Sequence, residues 1–416
     1  MEKIIVEVKN ENLRYPIILG AAILPKIADF IKEKHKNKRI AVITDDNMKS
    51  AYEGKIMGAL KSLNPYILSV PPGEDSKSRK TKQEIEDILL EKKYGRDTLL
   101  IAFGGGIIGD LAGFVASTFN RGVPLLHIPT TLLAMVDSSI GGKTGINTKH
   151  GKNLIGTIYQ PEAVFTDLNF LETLPDNEFL NGLAEIIKMA AALDKQLFSY
   201  IEKNHKKILS RDKDVLHHLI RRSIELKKDI VEKDPHESGP RQVFNFGHTI
   251  GHAVEADSGF SVKHGFCISI GMAVESRISV LSENLKADEE KRIINLLKSV
   301  GLPTKISKGA KTENLVRFML SDKKTRSQKP RFVILSEIGS IKCQKFSIQS
   351  MTGGLRANQF QHNRKISEHA QEPPTVKPSS NIPPVCDWRF LTKENNLFSF
   401  EIEESIVKKA IEESRE

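Results

Sequence analysis

Glu185, His248 and His264 are residue types that ligate a divalent cation, and Lys188 and His252 each stand one helical turn from one of them. Three such ligands leave a zinc-like ion one open coordination position, which separates a catalytic centre from a closed structural one. The chain is therefore read as an enzyme. His248 and His252 are four residues apart and share a helical face with Asn245 and Glu255, while Gly247 and Gly251 fall between them. A core helix would be apolar there. Two histidines on a helix are more often a surface feature, and no His-Glu-x-x-His motif is present, so the assignment rests on context. Glu185 supplies it: the run Leu183-Ala184-Glu185-Ile186-Ile187 is otherwise apolar, and a carboxylate buried there is costly unless paired or metal-bound.

A second constellation concerns anions. Gly104-Gly105-Gly106-Ile107-Ile108-Gly109-Asp110 follows an apolar strand-like run and opens a helix-like one. In that setting glycines let the backbone approach a phosphate, and the helix N-terminus supplies amide donors and a favourable dipole. The motif is weak alone, and no acidic residue lies about 20 positions later to hold a ribose, so a standard dinucleotide fold is not expected. Ribose or adenosine contacts are sought earlier, at Asp45 and Asn47 and in Pro72-Gly73-Glu74-Asp75-Ser76-Lys77, each of which could equally be a turn or a cap. Further on, residues 127–147 are dense in hydroxyls and glycines and place Lys143 in what reads as a loop rich in exposed amides, with Lys152 and Asn153 just beyond. That combination favours a phosphate or carboxylate site over plain solubility.

Elements must position these groups. Alternating β-rich and helical runs predict strands at 40–44, 66–70, 98–103 and 124–128 and helices at 24–34, 53–62, 78–93 and 107–117. This is an α/β pattern with a mostly parallel sheet, and a nucleotide should sit at the strand C-terminal ends. Beyond residue 174 the periodicity turns helical, with helices predicted at 178–193, 213–232, 248–257 and 268–282, and then a two-strand pattern at 331–335 and 340–344. The expected organisation is a domain over 1–174, a helical domain with a small hairpin over 175–346, a disordered insertion over 347–397, and a returning helix over 398–416. The insertion is rich in Pro, Ser, Asn and Gln and holds the only tryptophan, Trp388, read as an incidental aromatic in a loop rather than a partner anchor.

Composition bounds the rest. A chain of 416 residues suits two domains, no apolar run approaches a membrane span, and the start alternates like a strand, so a cytoplasmic protein without membrane contact is expected. Cys267, Cys343 and Cys386 form neither a CxxC pair nor an even framework. The net charge is +10, and residues from Phe346 onward contribute nine Lys/Arg against ten Asp/Glu, so the basic excess belongs to the globular part. No basic stripe with interleaved aromatics accompanies it, so a small anionic substrate is favoured over nucleic acid.

The blocks 104–120, 129–147, 182–188, 241–255 and 264–272 resemble those of the 3-dehydroquinate synthase family, within the sugar phosphate cyclase superfamily, across nearly all of residues 1–344 and again from 398. The resemblance implies a mostly parallel NAD-binding α/β sheet followed by an all-helical metal and substrate domain, tightly bound NAD, one zinc or cobalt ion, and a homodimer. It implies conversion of 3-deoxy-arabino-heptulosonate 7-phosphate to 3-dehydroquinate and phosphate, a shikimate-pathway step, by transient oxidation, elimination, re-reduction and aldol closure. Carried over, the metal ligands are Glu185, His248 and His264. The substrate would meet Asp110, Asp137, Lys143, Lys152, Asn153, Lys188, Lys227, Arg241, Asn245, His252 and Lys323, with Glu237 in support and Arg121 reaching phosphate from across a dimer. NAD would meet Gly105, Gly106, Asp110, Thr130, Thr131, Asp137, Ser138, Lys143, Lys152 and Thr173, with Asp45, Asn47, Glu74 and Lys77 on its adenosine side.

Phe266, Asn181, Met189-Ala190 and Pro240 depart from the family pattern without removing a proposed ligand. The insertion at 347–397 is the large departure, expected to be dispensable in a deletion joining Ser347 to Phe398. Rival readings are a sister cyclase such as 2-deoxy-scyllo-inosose or valiolone synthase, a metal-dependent polyol dehydrogenase, and a catalytically idle binding protein. Lys227, Arg241, Asn245 and Lys323 favour a carboxylated substrate over the first, and the lysine pair Lys143/Lys152 argues against the second.

Overall fold

The structure is a computed structural model, and it describes residues 1–8, 12–237, 239–321, 330–342, 344–345, 385–386, 396–397 and 399–415. Its first part alternates β1 (Glu2–Val8), β2 (Leu13–Gly20), α1 (Leu24–Lys34), β3 (Arg39–Asp45), α2 (Asp46–Leu60), β4 (Tyr66–Val70), α3 (Arg79–Glu91), β5 (Thr98–Gly104), α4 (Gly106–Thr118) and β6 (Leu125–Pro129). A hairpin of β7 (Lys143–Thr148) and β8 (Gly151–Ile158) and then β9 (Ala163–Asp167) follow. The seven-stranded sheet runs β1-β2-β9-β6-β5-β3-β4, parallel throughout except for β1 against β2. β5, β6 and β9 are buried along their whole length, which is why they read as continuous apolar runs instead of alternating ones. In α1 the buried residues Ile27, Ala28 and Ile31 recur at helical spacing, and Ser78 caps α3 by accepting from the Thr81 amide at 3.2 Å.

The second part is helical: α5 (Asp176–Leu193), α6 (Lys195–Leu209), α7 (Lys213–Lys233), α8 (His248–Asp257), α9 (His264–Leu281), α10 (Ala287–Ser299) and α11 (Thr312–Ser321). One apolar cluster runs unbroken from the sheet through Phe170 and Leu174 into Phe179 and Leu183 of α5, so the core crosses residue 174 without interruption. A separate cluster unites α8, α9 and α11 with Phe332 and with Val407, Ala410 and Ile411 of the last helix.

Short strands close the chain: β10 (Arg331–Phe332), β11 (Leu335–Glu337), β12 (Ser340–Lys342), β13 (Gln344–Lys345), β14 (Val385–Cys386), β15 (Asn396–Leu397) and β16 (Phe400–Glu401), followed by α12 (Glu404–Glu413). Most of the 347–397 tract, Trp388 included, lies outside the described residues. Its two described pieces pair as β14 on β12 and β15 on β13. No helix among the described residues is long and apolar enough to cross a membrane.

Three local expectations change. Helix α2 begins at Asp46, not 53, because the Asp45 carboxylate accepts from the Met48 amide at 3.0 Å and starts the helix at once. Helix α9 begins at His264, not 268, because the Asn181 side chain accepts from the Gly265 amide at 2.6 Å across 84 residues. Residues 143–147, read as the end of a glycine-rich loop, instead form a hairpin with 151–158: the Gly156 position approaches the Thr144 carbonyl so closely that a Cβ would lie 1.9 Å from it.

Candidate active site

Helix α5 is the pivot of the site. It is buried from Phe179 onward save Leu180, so Glu185 and Lys188, one turn apart, are carried into the interior. Lys188 donates to Glu185 Oε2, while Glu185 Oε1 is buried, makes no hydrogen bond, and faces His248 Nε2 at 3.7 Å and His264 Nε2 at 3.6 Å. Ligands about 2.1 Å from a tetrahedral ion stand about 3.4 Å apart, so this spacing suits one cation. A buried carboxylate oxygen without a hydrogen-bond donor keeps the lone pairs that a cation would take up.

Each histidine is oriented from behind. His248 Nδ1 lies 3.2 Å from the Phe246 carbonyl and His264 Nδ1 lies 3.3 Å from Glu255 Oε2, so in both rings Nδ1–H donates and Nε2 is turned toward Glu185. The helix start that carries His248 is held by Glu275, fully buried in α9, whose carboxylate accepts from the Gly247 amide at 2.8 Å. α8 and α9 meet almost backbone to backbone: a Cβ on Gly271 would lie 1.9 Å from the Gly247 carbonyl. Both histidines therefore hang from one rigid pair.

Electrostatics agree. Burial works against charge on His264, yet Glu185 and Glu255 on either side push its pKa up to about 9. In Glu185 burial is outweighed by Lys188 and His264, which hold its carboxyl below the usual range. Burial also opposes ionisation of Glu255, but His264 and Lys152 lower its pKa to about 2. A site that draws a proton onto an imidazole at neutral pH draws a metal cation too, with release of that proton. The residues present thus fit a divalent ion with a nitrogen- and oxygen-rich ligand set.

Around this centre lies a second layer of charge. Lys227, buried in α7, donates to Asp137 and sits over the Phe244 ring at 4.3 Å, with Lys188 over the same ring at 5.5 Å. Burial lowers the Lys227 pKa to about 8 against the pull of Asp137, and the Asp137 carboxyl, despite its burial, is held far below its usual range by Lys227 and Lys188. Asp137 is in a π-helical turn, Ala134–Ser138. Arg241 is buried and gives its guanidinium to the Pro235 carbonyl at 2.6 Å and, at 3.4 Å, to that of Gly141. Asn245 ends the tight turn just before α8, and the His252 ring lies 5.2 Å from that of His248 and 5.8 Å from that of His264.

The hairpin supplies the third side. Lys143 at its start pairs with Glu237, and Lys152 donates to Glu255 at 2.6 Å. Asn153, with φ +53°, accepts from Lys77, which also pairs with Asp110 one turn into α4. Glu74 accepts from the Asn147 side chain at 2.7 Å. Glu74 and Lys77, two of the four residues expected on the adenosine side, thus stand against the hairpin and α4. At the start of α4 the glycines leave room: a Cβ on Gly105 would lie 3.0 Å from Thr131 Cγ2, and one on Gly106 3.0 Å from Ser138 Oγ. Thr130 follows β6 and Asp45 ends β3, which places both at strand C-terminal ends. Asn47 lies in the first turn of α2, and Thr173 shares a hydrogen bond with Tyr52.

Two candidates stand apart. Arg121 is exposed beyond the far end of α4, about 20 Å of helix from the glycine turn. Lys323 lies outside the described residues. Sequence reading passed over Glu275 and Phe244. Glu275 carried the same signal as Glu185, an acid inside an apolar helix, whereas nothing local marks Phe244.

Sequence models of the 3-dehydroquinate synthase N-terminal and C-terminal domains match residues 67–181 and 182–325. A 3-dehydroquinate synthase from Thermodesulfovibrio yellowstonii is 41% identical over 345 residues, 82% of this chain and 96% of that protein. Among solved structures, a 2-deoxy-scyllo-inosose synthase complexed with carbaglucose-6-phosphate, NAD+ and Co2+ aligns with TM-score 0.75 at 24% identity, over 82% of this chain and 94% of that one. A 2-epi-5-epi-valiolone synthase from Streptomyces hygroscopicus subsp. jinggangensis with NAD+ and Zn2+ bound aligns with TM-score 0.73 at 25% identity, over 79% and 92%.

Proposed function

The chain belongs to the 3-dehydroquinate synthase family, and we propose that it converts 3-deoxy-arabino-heptulosonate 7-phosphate to 3-dehydroquinate and phosphate, using NAD and one zinc or cobalt ion in a homodimer. The observation that carries this reading is Glu185 Oε1, a buried carboxylate oxygen without a hydrogen bond between two oriented imidazoles, with buried lysines beside it. When bound, NAD takes up and returns a hydride while the metal ion polarises the hydroxyl being oxidised.

The chain's own residues have three tasks. Glu185, His248 and His264 would hold the ion, leaving its remaining position to the substrate. Gly105 and Gly106, with the amides opening α4, would admit the cofactor pyrophosphate, with Asp110, Thr130, Thr131 and Ser138 around it. Lys143, Lys152 and Asn153 would hold the substrate phosphate, and Lys188, Lys227, Arg241 and Asn245 would face its carboxylate. Holding both anionic ends would orient the substrate until phosphate leaves, and the contacts to its carboxylate would then hold the conformer that closes the ring.

The test is phosphate release from 3-deoxy-arabino-heptulosonate 7-phosphate by purified protein with catalytic NAD. Release that stops with a chelator, recovers with zinc or cobalt, leaves no net NADH and is abolished in Glu185→Gln is the expected result. Turnover of glucose 6-phosphate or sedoheptulose 7-phosphate instead would move the chain to a sister cyclase, and accumulating NADH with a polyol would make it a dehydrogenase.

A further inference from the structure

We propose that Glu255 is a positioning residue that locks the metal-binding tautomer of His264 and, through Lys152, couples it to anion binding at the hairpin. The inference rests on reading Glu185, His248 and His264 as a metal centre and the hairpin as an anion site. Glu255 is nearly buried near the end of α8, and its two oxygens serve different partners. Oε2 accepts from His264 Nδ1 at 3.3 Å, and Oε1 accepts from Lys152 Nζ of β8 at 2.6 Å. With its hydrogen on Nδ1, His264 offers Nε2 to the point it shares with Glu185 Oε1, 3.6 Å away.

Lys152 is held from a second side, 4.8 Å above the ring of Phe260. Phe260 is 53% exposed and has φ +63°, a left-handed conformation that is uncommon for a large side chain, in the turn between α8 and α9. The ring thus covers the Lys152 ammonium. An ammonium group shared between a carboxylate and an aromatic face is a cation in a resting place.

The coupling has a definite sign. An anion that draws Lys152 away leaves the whole Glu255 charge to the His264 N–H, which makes the imidazole a stronger donor to a metal at Nε2. Phosphate should therefore tighten metal binding, and by linkage metal should tighten phosphate binding by the same factor.

The experiment titrates the full-length protein with Co2+, reading its d–d absorption, with and without inorganic phosphate. In the unaltered protein phosphate should tighten Co2+ binding, by about 5-fold or more. Glu255→Gln should bind Co2+ about 10- to 100-fold more weakly and lose the response to phosphate. Lys152→Met should bind Co2+ no more weakly than the unaltered protein and should also ignore phosphate, so this second variant decides the matter if the first does not fold in a thermal melt. Co2+ affinity within twofold of normal in folded Glu255→Gln, or a phosphate response that survives in Lys152→Met, would overturn the proposal while leaving the metal centre intact. An unaltered protein that binds no Co2+ would overturn both.

Discussion

Lys227 shows how a single buried cation becomes a functional quantity. With its pKa at about 8, it is an ammonium below that pH and loses its proton as pH rises through it, while Asp137 stays ionised throughout. A substrate anion recognised by Lys227 should thus be lost on the alkaline side, with kcat/KM falling about tenfold per unit above pH 8. Lys227→Arg keeps a cation at every accessible pH, so its profile between pH 8 and 9.5 should be flat whatever its absolute rate. A pH–rate series on the two proteins checks this, and an alkaline limb unchanged in the variant would assign it to another group. Glu185 was legible in sequence because an acid among isoleucines must find a partner. The partners of Lys227, Asp137 and Phe244, could not be read, since they lie 90 residues before it and 17 after.

At the level of elements, the α8–α9 pair is held by glycines that remove the Cβ atoms between two backbones. Gly271→Ala would place a methyl group 1.9 Å from the Gly247 carbonyl and must push His248 away from His264. It should cost on the order of 3 kcal/mol, the upper end for an overpacked contact, and weaken metal binding in the protein that still folds. Urea denaturation and metal titration measure the two effects separately, and a variant with normal stability would show that the helices can part freely. Such glycines look like interruptions in a helical pattern. Likewise the start of α9 depends on Asn181, a cap that no local pattern could disclose.

For the whole molecule, two properties depend on where distant segments meet. Lys345 pairs with Asn396 in the antiparallel β13–β15 ladder, so the ends of the tract between them are neighbours. Replacing residues 346–395 with an Asn-Gly turn should give a folded protein with turnover near normal, at the cost of β14 on the edge of β12. Steady-state kinetics and a melt decide it, and a folded but inactive protein would give the tract a catalytic role. Arg121 is exposed on the single chain. If it completes the partner's site in a symmetric dimer, mixing inactive Arg121→Ala and Lys143→Ala proteins should restore roughly one site in four. No recovery on mixing would keep Arg121 out of the site.

The sequence by itself determined the α/β pattern followed by helices, the four parallel strands it named, the glycine turn before α4 and the three metal-ligand candidates. Each of these is written in local chemistry: apolar period, turn residues, or a charge in an apolar run. Only the tertiary structure decided that Glu185, His248 and His264 converge on one point, that 143–158 is a hairpin whose Lys152 reaches Glu255, and that Arg121 stands apart from the rest. Those facts depend on contacts between residues up to about a hundred positions apart, which backbone packing between helices and the sheet sets and which no window of sequence contains.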